Sequence, residues 1–243
     1  MIPENQLNEF VSKMRSAAGD NLRSVILYGS AATGEFHADF SNVNLLCLFT
    51  KTSFAALSAI APAVKWWTGK KHHPPLVMTV EELSHSADVF SIELLDMQQR
   101  HRVLFGDDPL AGLQIPMRFH REQLEYELRE KTIFLRQQIL RFSGHDRELW
   151  DLLLHSVSAF TTLFRHALVA MGVAPPVSKR EAVQALSTRI QFDPSSFNQL
   201  LDIREKKAER KQFDAKDICG RYLTAIQQIT NAVDTMLESP KSA

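Results

Sequence analysis

The chain has 243 residues, 44% of them hydrophobic, which is enough to bury one sizeable core or two smaller ones and excludes a disordered segment. Lysine plus arginine equal aspartate plus glutamate at 28 each, so no global field draws the molecule to a polyanion or an anionic membrane, and any nucleic-acid contact would need a local patch. Cys47 and Cys219 lie far apart in apolar segments, the N-terminus lacks a basic stretch followed by an apolar one, and no run reaches about 18 uninterrupted apolar residues; a cytoplasmic protein with buried free thiols and no membrane anchor is expected.

Leu7, Phe10, Val11 and Met14 recur at helical spacing, which predicts an amphipathic helix over 4–18 ending before Gly19. Val25 to Tyr28 and Val43 to Phe49 are short runs rich in β-branched and aromatic residues, bounded by Gly, Ser and Asn, and read as buried strands. Phe54 to Trp67 reads as a helix in which Pro62 predicts a kink or an early stop. Lys70 to Pro75 is a turn, Leu76 to Thr79 a third strand and Val80 to His85 a short helix; Val89 to Met97 is a fourth apolar run whose type periodicity does not decide. From Arg118 onward helical periodicity dominates, with predicted helices over 118–142, 146–171, 178–188, 195–211 and 214–238. Ser178, Asp193 and Asp214 stand at their starts as caps, and Ser239 to Ala243 follow as a frayed tail.

The pattern predicts an α+β fold: a mixed β-sheet flanked by helices over residues 1–112, followed by an all-α helical bundle over 113–243. The most informative segment joins the first two strands. Gly29-Ser30 closes the first, Gly34 follows, and Ser41-Asn42-Val43-Asn44-Leu45-Leu46 opens the second. On a strand, residues two apart share a face, so an acid-x-acid pair at 42 and 44 would aim two carboxylates into one pocket, as two-metal phosphoryl transfer requires. A Gly-Ser turn supplies backbone N–H groups and a hydroxyl to outer phosphates.

These residues resemble the signature of the nucleotidyltransferase superfamily that includes DNA polymerase beta and the aminoglycoside and minimal nucleotidyltransferases: Gly-Ser, a variable stretch, then Ser-Asp-x-Asp-Leu. The resemblance covers about residues 20–110 and implies a nucleotide site at Gly29, Ser30, Asn42 and Asn44. Both aspartates are replaced by amides, each offering a neutral acceptor in place of a charge, so no metal site is expected. The family's third acid, aligned on Thr79 to Leu83, falls at or near Leu76. Glu93 is the surviving catalytic candidate, with Asp88 and Asp96 behind it; Asp39 and Glu35 lie in the preceding loop without paired spacing.

Other features have plainer readings. The nine histidines form no His-x3-His pair and adjoin no cysteine pair, so zinc is not expected. Arg141 and His145 do not reproduce the spacing of the ribonucleases that accompany minimal nucleotidyltransferases. Lys70 to His73 can touch phosphates at a cleft rim but read more simply as a solvated turn, as Arg204 to Lys211 read as a solvated helix face. At least one of Trp66 and Trp67 should pack in a core, and Phe160, Leu163, Phe164, Ala167 and Leu168 form a bundle stripe that can extend into a homodimer or protein-partner interface.

Two functions follow from the resemblance. The first is a nucleotidyltransferase-fold protein that has lost most or all metal-dependent transfer and acts by binding a nucleotide or a protein partner. The alternative is an active enzyme moving a nucleoside monophosphate from a triphosphate to a hydroxyl of a small molecule or protein, with Mg2+ and the triphosphate as its cofactors. A scaffold with no nucleotide site is the third.

Overall fold

A computed structural model describes residues 4–176 and 178–238; the predicted tail at Ser239 to Ala243 lies outside them. The chain divides into two compact units, Met1–Pro116 and Met117–Ala243.

The first unit is built on a four-stranded mixed sheet in the order β3-β2-β1-β4, with β1 Leu22–Tyr28, β2 Asn44–Phe49, β3 Leu76–Thr79 and β4 His101–Gly106. β1 runs antiparallel to β2 and β4, and β2 runs parallel to β3. The continuous apolar runs of β1 and β2 have their reason in burial on both faces. Val25, Leu27, Leu45, Cys47 and Phe49 pack under α1 (Glu4–Ala18) and α2 (Phe54–Gly69), around Phe10, Met14, Ile60 and Trp67. Ile26, Leu46 and Leu48 face the other way, against Leu83 of α3 (Val80–His85) and Leu94 and Met97 of α4 (Ser91–Gln99).

Pro62 does not stop α2, which runs to Gly69. Both Pro62 and Ser58, whose carbonyl loses its intrahelical partner to the proline, lie on the exposed face, within reach of solvent. The run at Val89 to Met97 resolves as helix. The Thr79 side chain accepts from the Glu82 N–H while Glu82 accepts from the Thr79 N–H, a capping box that starts α3 directly from β3.

The second unit comprises α5 His120–Phe142, α6 Asp146–Ala170, α7 Lys179–Ile190, α8 Ser195–Arg204 and α9 Ala215–Glu238. α6 packs against the other four, and its Phe160, Leu163, Phe164, Ala167 and Leu168 stripe is buried in the bundle. It is the one helix among the described residues long and apolar enough to cross a membrane, and most of that stretch is core of this unit. Ser178 caps α7 by accepting from the Glu181 N–H, and Asp214 accepts from the N–H groups of Lys216 and Asp217 at the head of α9. α8 stops at Arg204, short of the predicted 211. Lys206 turns left-handed (φ 59°), the Lys207 N–H closes onto the Asp202 carbonyl, and the Arg204 side chain is buried, donating to the Leu154 carbonyl. Arg204 therefore belongs to the core and not to a solvated face.

Candidate functional site

The sheet register brings the distinctive residues to one end. Tyr28, the last residue of β1, is flanked by Asn44 at the start of β2 and by His101 at the start of β4. Because β3 runs parallel to β2, the Lys70–Pro75 turn before it reaches the same end. Gly29 follows Tyr28 with φ +75°, a left-handed backbone that glycine adopts without penalty, and Gly29–Ala32 wind into one turn of 3₁₀ helix. The Gly29 N–H donates to the Arg100 carbonyl (2.9 Å), tying the turn to the residue ahead of β4. A side chain at position 29 would stand 3.5 Å from Asn44 Nδ2, so the amide of Asn44 lies directly against the glycine.

Asn42 is placed differently. β2 begins at Asn44, so position 42 lies two residues ahead of the hydrogen-bonded strand. The exposed Asn42 instead lines a hollow of about 340 Å³ with Gln6, Ser41, Lys70, Lys71, His72 and His73, together with Phe36, Ala38 and Val43; Asn44 is not part of this lining. Ser30 is half-buried in the 3₁₀ turn. Glu93 sits on helix α4 with its side chain exposed, close enough to Tyr28 for its charge, together with burial as the larger cause, to push the tyrosine's ionisation upward.

The strongest electrostatic feature of this end is Arg100, which the sequence reading passed over. Its side chain is 4% exposed, pairs closely with Glu35, lies 4.0 Å from Asp96 and reaches Thr33 Oγ1 at 3.5 Å. Thr33 in turn donates from Oγ1 to the Ser30 carbonyl (3.3 Å). One buried guanidinium thus braces the Gly-Ser turn through side chains and backbone, and engages two of the acids the sequence offers nearby. A third, Asp108, accepts from His101 Nε2 at 3.0 Å.

These residues do not fit a magnesium pair. Positions 42 and 44 offer amide oxygens, Leu76 pairs with Leu46 at the head of β3 as an apolar residue, and Glu35 and Asp96 face a cation already. Among the described residues no three His, Cys, Asp or Glu side chains gather as a metal-binding group.

No family model and no curated protein sequence matches the chain. Among solved structures it is similar to spectinomycin adenyltransferase AAD(9) from Enterococcus faecialis, solved with ATP and spectinomycin, at TM-score 0.55 and 13% identity over 97% of this chain and 99% of that one. A toxin-antitoxin structure with AMP-PNP matches 42% of this chain and 74% of that one, at TM-score 0.30 and 14% identity. The fold is like that of the spectinomycin adenyltransferase: the mixed sheet with its helices, then the helical unit.

Proposed function

We propose that this protein is a nucleotide-binding member of the nucleotidyltransferase fold in which metal-dependent transfer is impaired or lost, so that it works by binding. The observation that carries the reading is the state of the charges at the sheet end: amides at 42 and 44, with Glu35 and Asp96 turned onto Arg100. Transfer on this fold depends on metal ions that neutralise charge developing on the phosphoryl group, and neutral oxygens supply little of the field that holds them. Binding asks less. Gly29 and Ser30 present a turn that a phosphate can approach, with Asn44 beside it as donor or acceptor. The buried free thiols Cys47 and Cys219 support a reducing compartment such as the cytoplasm.

A second reading keeps residual transfer, with Glu93 as the remaining acid or base; its support is the proximity of Glu93 to the Tyr28 phenol at the mouth of the turn. Calorimetry with ATP, CTP, GTP and UTP, each with magnesium and with EDTA, separates the two. The expected result is binding of at least one triphosphate in EDTA and no release of pyrophosphate in either condition. Magnesium-dependent binding with pyrophosphate release would establish the enzyme, and absence of all nucleotide binding would leave the fold as a scaffold.

A further inference from the structure

The hollow beside Asn42 has a lining unlike the rest of the sheet end. Of its ten residues two are lysines, two are histidines, three are neutral hydrogen-bonding side chains and none is acidic. At about 340 Å³ it lies at the small end of the range of ligand sites, suited to a compact polar group more than to a whole nucleotide. Its floor is rigid. His72 stacks on the fully buried Trp67 with ring centroids 3.9 Å apart, and its Nε2 meets Gln6 Oε1 at 2.7 Å. Trp67 Nε1 donates to the His73 carbonyl at 2.9 Å, and the N–H groups of Lys70 and Lys71 donate to the Trp67 and Thr68 carbonyls. Within this frame Lys71 is held at φ +67°, a left-handed backbone that costs a non-glycine residue of order 1 kcal/mol. Glycine would serve the backbone better there.

We infer that this hollow is a metal-independent site for a phosphate chain, gripped by Lys70 and Lys71 with Asn42 and Ser41 as hydrogen-bonding partners. The inference rests on the nucleotide-binding reading in taking that chain to be the tail of a nucleoside triphosphate. Lysine ammonium groups supply the charge that a magnesium pair would bring elsewhere on such a fold, as compact, strongly hydrated point charges suited to phosphate oxygens. Burial lowers the proton affinity of His72, so this ring adds less positive charge to the hollow than the lysines do. Lys70 Nζ lies 5.9 Å from the Trp66 ring centroid, at the outer limit of a cation–π contact, so that contact is readily given up for a phosphate. An amide at 42 is the fitting residue here, because a carboxylate would pair with the lysines and repel the ligand.

The test is titration of the intact chain in EDTA with inorganic tripolyphosphate and, separately, with ATP. Tripolyphosphate should bind, and more weakly as salt is raised. Lys71→Gly removes the charge while relieving the left-handed backbone, so the fold survives. It should weaken tripolyphosphate about tenfold or more, the loss expected for one charge-assisted hydrogen bond, and Lys70→Gln and Asn42→Asp should act in the same direction. Parallel losses for ATP support the inference and the reading beneath it. If ATP binds the parent and the lysine variants alike, the hollow is not the phosphate site while nucleotide binding stands. If tripolyphosphate binds through the lysines and ATP does not bind, the anion site holds and the nucleotide reading falls. Failure of tripolyphosphate to bind the parent overturns the inference.

Discussion

Replacing Arg100 by leucine is the most exacting probe of the sheet end. The guanidinium is 4% exposed, while its partners Glu35 and Asp96 keep 22% and 18% exposure. Removing one member of a fully buried ion pair costs about 3–5 kcal/mol, mostly because the remaining charge is stranded. Here two carboxylates lose their guanidinium together, but each retains some access to water, which brings the expectation to about 2–4 kcal/mol. For a unit of this size each kcal/mol shifts Tm by roughly 4–5 °C, so a drop of about 8–20 °C is expected. Urea unfolding followed by fluorescence reads this unit selectively in a Trp150→Phe background, since Trp66 and Trp67 then remain as its reporters. A second measurement separates stranded charge from lost contact. Adding Glu35→Gln and Asp96→Asn to Arg100→Leu should recover more than half of the loss, because the cost lies in stranded charge and not in a missing contact. A single variant within about 0.5 kcal/mol of its parent, the range of an ordinary surface change, would refute the bracing role. So would a triple variant no more stable than the single one.

Gly29→Ala and Gly106→Ala should differ sharply in chemical denaturation. Both residues have positive φ, but a Cβ at 29 meets only Asn44 Nδ2 at 3.5 Å, whereas at 106 it would stand 1.9 Å from the Arg23 carbonyl oxygen. The first should cost about 1–2 kcal/mol, the second more than about 3 kcal/mol because backbone has to move, and equal costs would contradict the geometry. Trp67→Ala should destabilise by about 3–5 kcal/mol and loosen the Lys70–His73 turn, seen as faster amide exchange there than elsewhere in the unit. In the helical unit, burial pushes the His166 imidazole down to about 3, with the His120 ring and Arg165 adding to the shift. Between about pH 6.5 and 3 the unfolded imidazole therefore binds a proton that the folded one refuses, and stability falls by about 1.4 kcal/mol per pH unit as the solution is acidified. Unfolding free energies at pH 6.5 and 5 should differ by about 1.7 kcal/mol from this group alone, and His166→Asn should flatten that slope.

The sequence carries the fold wherever one segment suffices to state its own environment. α1, β1 and β2 were legible because each presents an unbroken apolar run or a clean helical stripe to a core, the two strand runs being continuous because both sheet faces are covered; β3 and α3, of which Leu83 alone is fully buried, were legible from the turn before them and the Thr79-Val80-Glu81-Glu82 helix start. β4 was not legible. It is an edge strand with alternating partial exposure, its Arg102 reaches the Glu4 carboxylate at the surface, and nothing in His101 to Gly106 demands burial as strongly as β1 does. α4, with Ser91 buried among Ile92, Leu94 and Met97, mixes signals for the same reason. At the site, Gly29 could be singled out because a left-handed turn demands glycine. The Arg100–Glu35 pair joins residues 65 apart in sequence, and no spacing rule relates them.

The same limit explains why Asn42 and Asn44 looked like a matched pair. Their two-residue spacing is visible in the sequence, whereas the surroundings of each are not. Asn44 lies against the glycine turn, while Asn42 joins a basic hollow formed with the α2–β3 turn. Each amide thus sets a neutral group in a different surrounding: Asn44 beside Gly29, and Asn42 in a lining that holds Lys70 and Lys71 and no acid, which favours an anion. An aspartate at 42 with both lysines retained would be self-neutralising, serving neither a metal nor a phosphate. The amide and the lysines therefore form one electrostatic arrangement, in which the charge of the proposed anion would be met by side chains already in place.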